Sequence, residues 1–120
     1  MVSARFYNIV FDNKICFKEK SKFIKFEITG HSGFGANGTD IVCSGISTLT
    51  QTVILSIAQL LKLKQNILKE KGFLKTEISI EKLDSEQELK LKFVLETLLI
   101  GLLEINREYP GSVNIEFVTD

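Results

Sequence analysis

His31 and Cys43 are the pair of side chains in this sequence whose types and spacing best support covalent chemistry. A thiolate is a strong nucleophile and an imidazole titrates near neutrality. Together they can run acyl transfer: the sulfur attacks a carbonyl, and the imidazole first protonates the leaving amine and then draws a proton from water. A free thiol is only a few per cent ionised at neutral pH. A helix N-terminus and a neighbouring imidazolium both favour the thiolate. The sequence offers both, because Cys43 falls about three residues into a segment with helical spacing and His31 precedes it across a glycine-rich stretch.

That stretch is built for unusual backbone angles. Gly30, Gly33, Gly35, Gly38 and Gly45 are five of the eight glycines in the chain, and glycine is the residue that adopts such angles without steric cost. Asp40 reads as a helix N-cap and, as a second role, as a group that would orient the imidazole. The backbone amides around Cys43 and Ser44 are candidate oxyanion donors, since the first N–H groups of a helix have no acceptor within it. Gly30, Ser32 and Gly33 would let a substrate backbone approach closely. Ser47, one helical turn beyond Cys43, is a further candidate substrate contact. Cys16 lies in a strand-like segment and reads as a small packing residue.

Other chemistries fit less well. Gly33 to Gly38 matches G-x-G-x-x-G, which points to a phosphate or dinucleotide site. However, Ala58 and Gln59 stand about twenty residues beyond it, where an acidic ribose ligand is required, and the loop has no Walker lysine. Two cysteines and one histidine are too few soft ligands for a zinc site. No cofactor or metal is expected, and both thiols are expected to be reduced.

The elements that must position these residues follow from periodicity. Arg5 to Phe11 reads as a strand, Asp12-Asn13 as a turn, and Ile24, Phe26 and Ile28 alternate with charged or polar neighbours in a second strand. Val42, Ile46, Leu49, Val53, Ile57 and Leu60 recur at helical spacing, predicting a helix from about Ile41 to Ile67. Ile78 and Ile80 alternate in a short strand, Ser85 with Glu88 suggests a capping box opening a helix to about Arg107, and Val113, Ile115 and Phe117 form a last strand. The order ββαβαβ implies an α+β, two-layer sandwich of an antiparallel or mixed sheet with both helices on one face.

At 120 residues, with 15 Lys and Arg against 15 Asp and Glu, the chain suits one domain. It lacks the net field that would draw it to nucleic acid or an anionic membrane. The N-terminus has no export pattern, and the apolar run from Phe93 to Ile105 is interrupted by Glu96 and Glu104, so neither export nor membrane spanning is expected. That helix is apolar on more than one face, which suits a core on one side and a second copy on another.

The run Gly30-His31-Ser32-Gly33-Phe34, followed by Asp40-Ile41-Val42-Cys43-Ser44-Gly45-Ile46-Ser47, closely resembles the signature of the ribosomal-processing cysteine protease family, Prp. Gly101-Leu102, Ile105 and Tyr109-Pro110 resemble the end of that family's second helix and the turn after it. The resemblance implies that the family's catalytic histidine and cysteine fall on His31 and Cys43. It also implies a cytoplasmic bacterial endopeptidase and homodimer that removes an N-terminal extension from the precursor of large-subunit ribosomal protein twenty-seven. A noncatalytic ribosome-assembly module that clamps one protein partner with the same glycine loop is the rival from another class, and a nucleotide-binding loop is the third reading.

Overall fold

The computed structural model describes residues 1–30 and 41–119. Within them run β1 (Val2–Tyr7), β2 (Ile9–Asp12), β3 (Lys14–Phe17), β4 (Phe23–Gly30), α1 (Ile41–Gln59), β5 (Asn66–Glu70), β6 (Phe73–Ser79), α2 (Ser85–Glu108) and β7 (Val113–Val118).

Alternation builds the main sheet. Side chains along a strand point to opposite faces, and Val2, Ala4 and Phe6 of β1, Ile24, Phe26 and Ile28 of β4, and Leu74, Thr76 and Ile78 of β6 are all buried. Their registers bring these into line: Ala4 lies opposite Ile28, Phe6 opposite Phe26, and Phe26 in turn opposite Thr76. The result is one continuous apolar face. The sheet runs β5-β6-β4-β1-β7, with β7 parallel to β1 and every other pair antiparallel. Its opposite face carries Arg5 with Glu116 at 3.5 Å and Lys25 with Glu27 at 3.7 Å, while the Lys25 ammonium sits 4.1 Å from the centre of the Tyr7 ring. A face of that kind is stable against water.

The helices close the second layer. α1 buries Val42, Ile46, Val53, Ile54 and Ile57, and α2 buries Leu91, Leu95, Leu98, Leu99 and Leu102, in each case the stripe that a 3.6-residue period places on one side. They pack closely because Gly101 has no side chain; a Cβ there would overlap a methyl group of Leu49. Among the described residues α1, rather than the Phe93 to Ile105 run, is long and apolar enough to cross a membrane. Its apolar stripe is instead spent on the core shared with α2 and the sheet. The mixed sheet and the two helices form the α+β arrangement expected from the sequence.

Three details differ from that expectation. The first strand is broken at Asn8, which takes φ 62° and is held by its side-chain amide donating to the Phe23 carbonyl at 3.0 Å. Ile9 to Asp12 therefore leaves the main sheet and pairs with β3 in a separate hairpin turned at Asn13. The Glu96 carboxylate fastens this hairpin to α2 by accepting the Ile15 N–H at 2.8 Å.

The first helix stops at Gln59 rather than Ile67. Lys62 takes φ 59°, the left-handed conformation that ends helices. Gln65 then donates to the Ile54 carbonyl at 2.9 Å and accepts from the Thr76 hydroxyl at 2.8 Å, which starts β5 alongside β6. The main-sheet order is thus ββαββαβ, with one more strand than ββαβαβ, and the β2–β3 hairpin lies outside it.

The capping box of α2 sits one residue earlier than Ser85 and Glu88 would place it. Gln87 N–H donates to the Asp84 carboxylate at 2.8 Å and Asp84 N–H donates to the Gln87 side-chain carbonyl at 3.0 Å.

Candidate active site

Cys43 is the third residue of α1. It is half-buried and packed against the core, so its backbone is fixed while its side chain borders the helix N-terminus. The first-turn amides, Cys43 and Ser44 among them, belong to the helix end that carries the positive pole of the peptide dipoles. Within the turn itself, from Ile41 to Ser44, no residue is acidic. Negative charge on a tetrahedral oxyanion is favoured at such a place. Neither Cys16 nor Cys43 is in a disulfide, and Cys16 is exposed on β3 rather than packed inside as its strand-like context suggested.

The end of β4 is fixed by Gly30. It closes β4 opposite Val2, donates its N–H to the Gly72 carbonyl at 2.9 Å, and adopts φ +99°. A Cβ there would stand 2.8 Å from the Met1 carbonyl oxygen, a backbone atom that cannot rotate aside. Gly30→Ala combines a disfavoured φ with that clash and is expected to lower stability by about 1–3 kcal/mol, read from urea unfolding midpoints. A midpoint equal to wild type would contradict this account of the turn.

His31, Ser32, Gly33 and Asp40 lie outside the described residues, as does the competing G-x-G-x-x-G match. The chain enters that segment from Gly30, at the end of β4, and leaves it into Ile41, two residues before Cys43.

Ser44 and Ser47 are exposed on α1. Ser47 lies one turn after Cys43, on the same stripe of the helix. Its hydroxyl accepts from the Gln51 side-chain NH₂ at 2.6 Å, and the Gln51 carbonyl oxygen accepts from the Lys69 ammonium at 2.9 Å. Sequence reading missed Gln51 and Lys69. The i, i+4 spacing of Ser47 and Gln51 was available as a signal, but a helix drawn to Ile67 leaves no strand to bring Lys69 back beside α1.

With this geometry in place, the relationships of the chain are informative. Residues 12–114 match the family model described as cysteine protease Prp. The ribosomal processing cysteine protease Prp of Bacillus subtilis (strain 168) is 27% identical over 94 residues, spanning 77% of this chain and 83% of that protein. A crystal structure of an essential ribosomal processing protease Prp from S. aureus, in complex with a covalently linked product peptide, superposes with a TM-score of 0.71 at 22% identity, covering 98% of this chain and 99% of that one. SMU.848 from Streptococcus mutans superposes at 0.64, also at 22% identity, over 100% of this chain and 96% of its own. The matched span takes in Cys43, the start of α1, strand β3 of the hairpin, the main-sheet strands β4 to β6, and all of α2, and on that ground the chain belongs to the cysteine protease Prp family.

Proposed function

We propose that this chain is the endopeptidase that removes the N-terminal extension from the precursor of large-subunit ribosomal protein twenty-seven, with Cys43 as nucleophile and His31 as general acid and base. The observation that carries the reading is the place of Cys43: a half-buried cysteine in the first turn of an apolar helix that has no acidic residue in that turn.

The steps follow from the residue types. The Cys43 thiolate adds to the scissile carbonyl, and the resulting oxyanion sits at the N-terminal end of α1, beside the Cys43 amide. His31 protonates the departing amine, then takes a proton from the water that hydrolyses the thioester. Asp40 is assigned as the N-cap of α1, with orientation of the imidazole as its alternative role. Gly30, Ser32 and Gly33 let the extended substrate lie close to the backbone, and Ser47 contacts its acyl group. No metal or cofactor enters these steps. The compartment is the bacterial cytoplasm, where ribosomal precursors are made.

The test is mass spectrometry of the precursor incubated with the wild-type chain and with Cys43→Ala. Cleavage by the wild type alone at one site near the precursor's N-terminus is the expected result. Cleavage by neither chain would overturn the substrate assignment, and cleavage by both would overturn the role of Cys43.

The working unit is proposed to be a homodimer joined along α2. Leu89, Phe93, Ile100 and Leu103 are 68%, 72%, 67% and 48% exposed, on a helix whose other side is already spent on the core. An apolar stripe of this length on one helix suits a self-complementary two-fold contact. Phe93→Glu places a charge in that contact and is expected to move the protein from dimer to monomer in size-exclusion chromatography with light scattering. An unchanged mass would exclude this face.

A further inference from the structure

We propose that Gln51 and Lys69 are positioning residues that fix Ser47 as a hydrogen-bond donor toward the acyl group carried by Cys43; this rests on the peptidase reading above. The argument is one of donors and acceptors. A lysine ammonium has donors only, so the side chain of Gln51 must turn its oxygen to Lys69, and their 2.9 Å contact shows that orientation. The amide NH₂ is thereby turned the other way, where it meets the Ser47 oxygen at 2.6 Å. Ser47 must accept that bond. Its own hydrogen is then left to donate elsewhere.

A helical hydroxyl can give that hydrogen to the carbonyl four residues back. Thr50, Thr52 and Thr97 all do so here, at 2.7, 2.6 and 2.9 Å, to Ile46, Thr48 and Phe93. Among the described residues Ser47 makes no such bond; its hydrogen bond is the one it accepts from Gln51. Residues four apart on a helix have Cβ atoms about 5–6 Å apart, so the Ser47 hydroxyl lies within reach of an acyl group bonded to the Cys43 sulfur. Gln51 stands a further turn along and is half-buried, so it does not itself meet the reacting atoms. Lys69 is held in register by β5, which pairs it with Leu74 on β6. The relay therefore crosses from strand to helix and sets the direction of one proton.

This makes a distinctive forecast for an isosteric substitution. Gln51→Glu keeps the shape of the side chain and keeps an acceptor for Lys69, but its carboxylate can only accept, so Ser47 must turn its hydrogen backward. Peptide cleavage by wild type, Gln51→Glu, Gln51→Leu, Ser47→Ala and the Ser47→Ala/Gln51→Leu double variant is measured on a peptide spanning the precursor junction. Gln51→Glu is expected to lower kcat about tenfold with little change in KM, while melting as wild type does. Gln51→Leu and Ser47→Ala are each expected to lose about the same, and the double variant no more than either.

Wild-type kcat in Gln51→Glu, or losses that multiply in the double variant, would overturn the inference while leaving the peptidase reading standing. Absence of cleavage by the wild-type chain would overturn that reading and this inference with it. A drop in melting temperature that tracks the loss of kcat across the variants would assign the relay a structural role instead.

Discussion

Cys43→Ala is expected to reduce peptide cleavage by about 10⁴- to 10⁶-fold, the scale seen when a catalytic nucleophile is deleted, and to leave the fold in place. The asymmetry comes from position. Removing the sulfur from a half-buried residue in the first turn of α1 takes away few packed atoms, and alanine has the highest helix propensity, so melting should change little. The chemistry has no substitute. Water attacking the carbonyl directly would still find the amides at the helix end, but no covalent intermediate would form. Cys16→Ser is the matching control: Cys16 is exposed on β3, and its loss is expected to leave kcat/KM within about twofold of wild type. Hydrolysis of a junction peptide, followed by chromatography, separates the two. A Cys43→Ala protein that still cleaves within an order of magnitude of wild type would exclude Cys43 as nucleophile.

Phe6→Ala carries the largest expected effect on stability, about 3–5 kcal/mol. Phe6 is wholly buried in β1, which lies between β4 and β7. Its ring centre is 6.0 Å from that of Phe26 and 5.5 Å from that of Phe117, distances at which aromatic pairs contribute beyond their area alone. Truncation leaves a cavity bounded by sheet neighbours whose registers are fixed by hydrogen bonds on both sides, so the site collapses poorly. Domains of this size are stable by only about 5–15 kcal/mol. The variant should therefore unfold at a much lower urea concentration, with an unchanged slope. A loss below about 1 kcal/mol would mean that Phe6 and Phe26 are not at the centre of the core.

Much of this architecture is legible in the residues because burial on one face forces a period. Ile24, Phe26 and Ile28 alternate and are all buried on β4, while Val113, Ile115 and Phe117 alternate on the edge strand β7, where Val113 is buried and Phe117 exposed. Val42, Ile46, Val53 and Ile57 repeat at helical spacing, and all four are buried on α1. Cys43 is placed in the first turn by the same pattern, so its half of the candidate site could be read before any coordinates.

What escaped reading depends on single residues in conformations their types do not announce. Asn8 and Lys62 both take positive φ. Asn8 breaks an apolar run that otherwise reads as one strand from Arg5 to Phe11. Lys62 ends a helix where a glycine would have signalled the stop, and Leu60, Leu61 and Leu63 continue the apolar character past it. β5 is exposed at every position, so no buried stripe marks it as a strand. Because β5 was hidden, so was Lys69 and the chain of hydrogen bonds it anchors to Ser47. The paired Asp84 and Gln87 were missed for a smaller reason: Ser85 and Glu88 show the same spacing one residue later, and sequence alone does not choose between two overlapping caps.

The central claim is that peptide bonds break through an acyl group on Cys43, and the most direct test is to trap that group. The wild-type chain is mixed with the junction peptide, quenched in acid within the first turnover, digested and sequenced by tandem mass spectrometry. The account predicts a thioester adduct on the Cys43 peptide whose mass equals the N-terminal cleavage fragment less one water, absent from Cys43→Ala. Turnover with no adduct on Cys43 at any quench time, and with undiminished rate in Cys43→Ala, would contradict it.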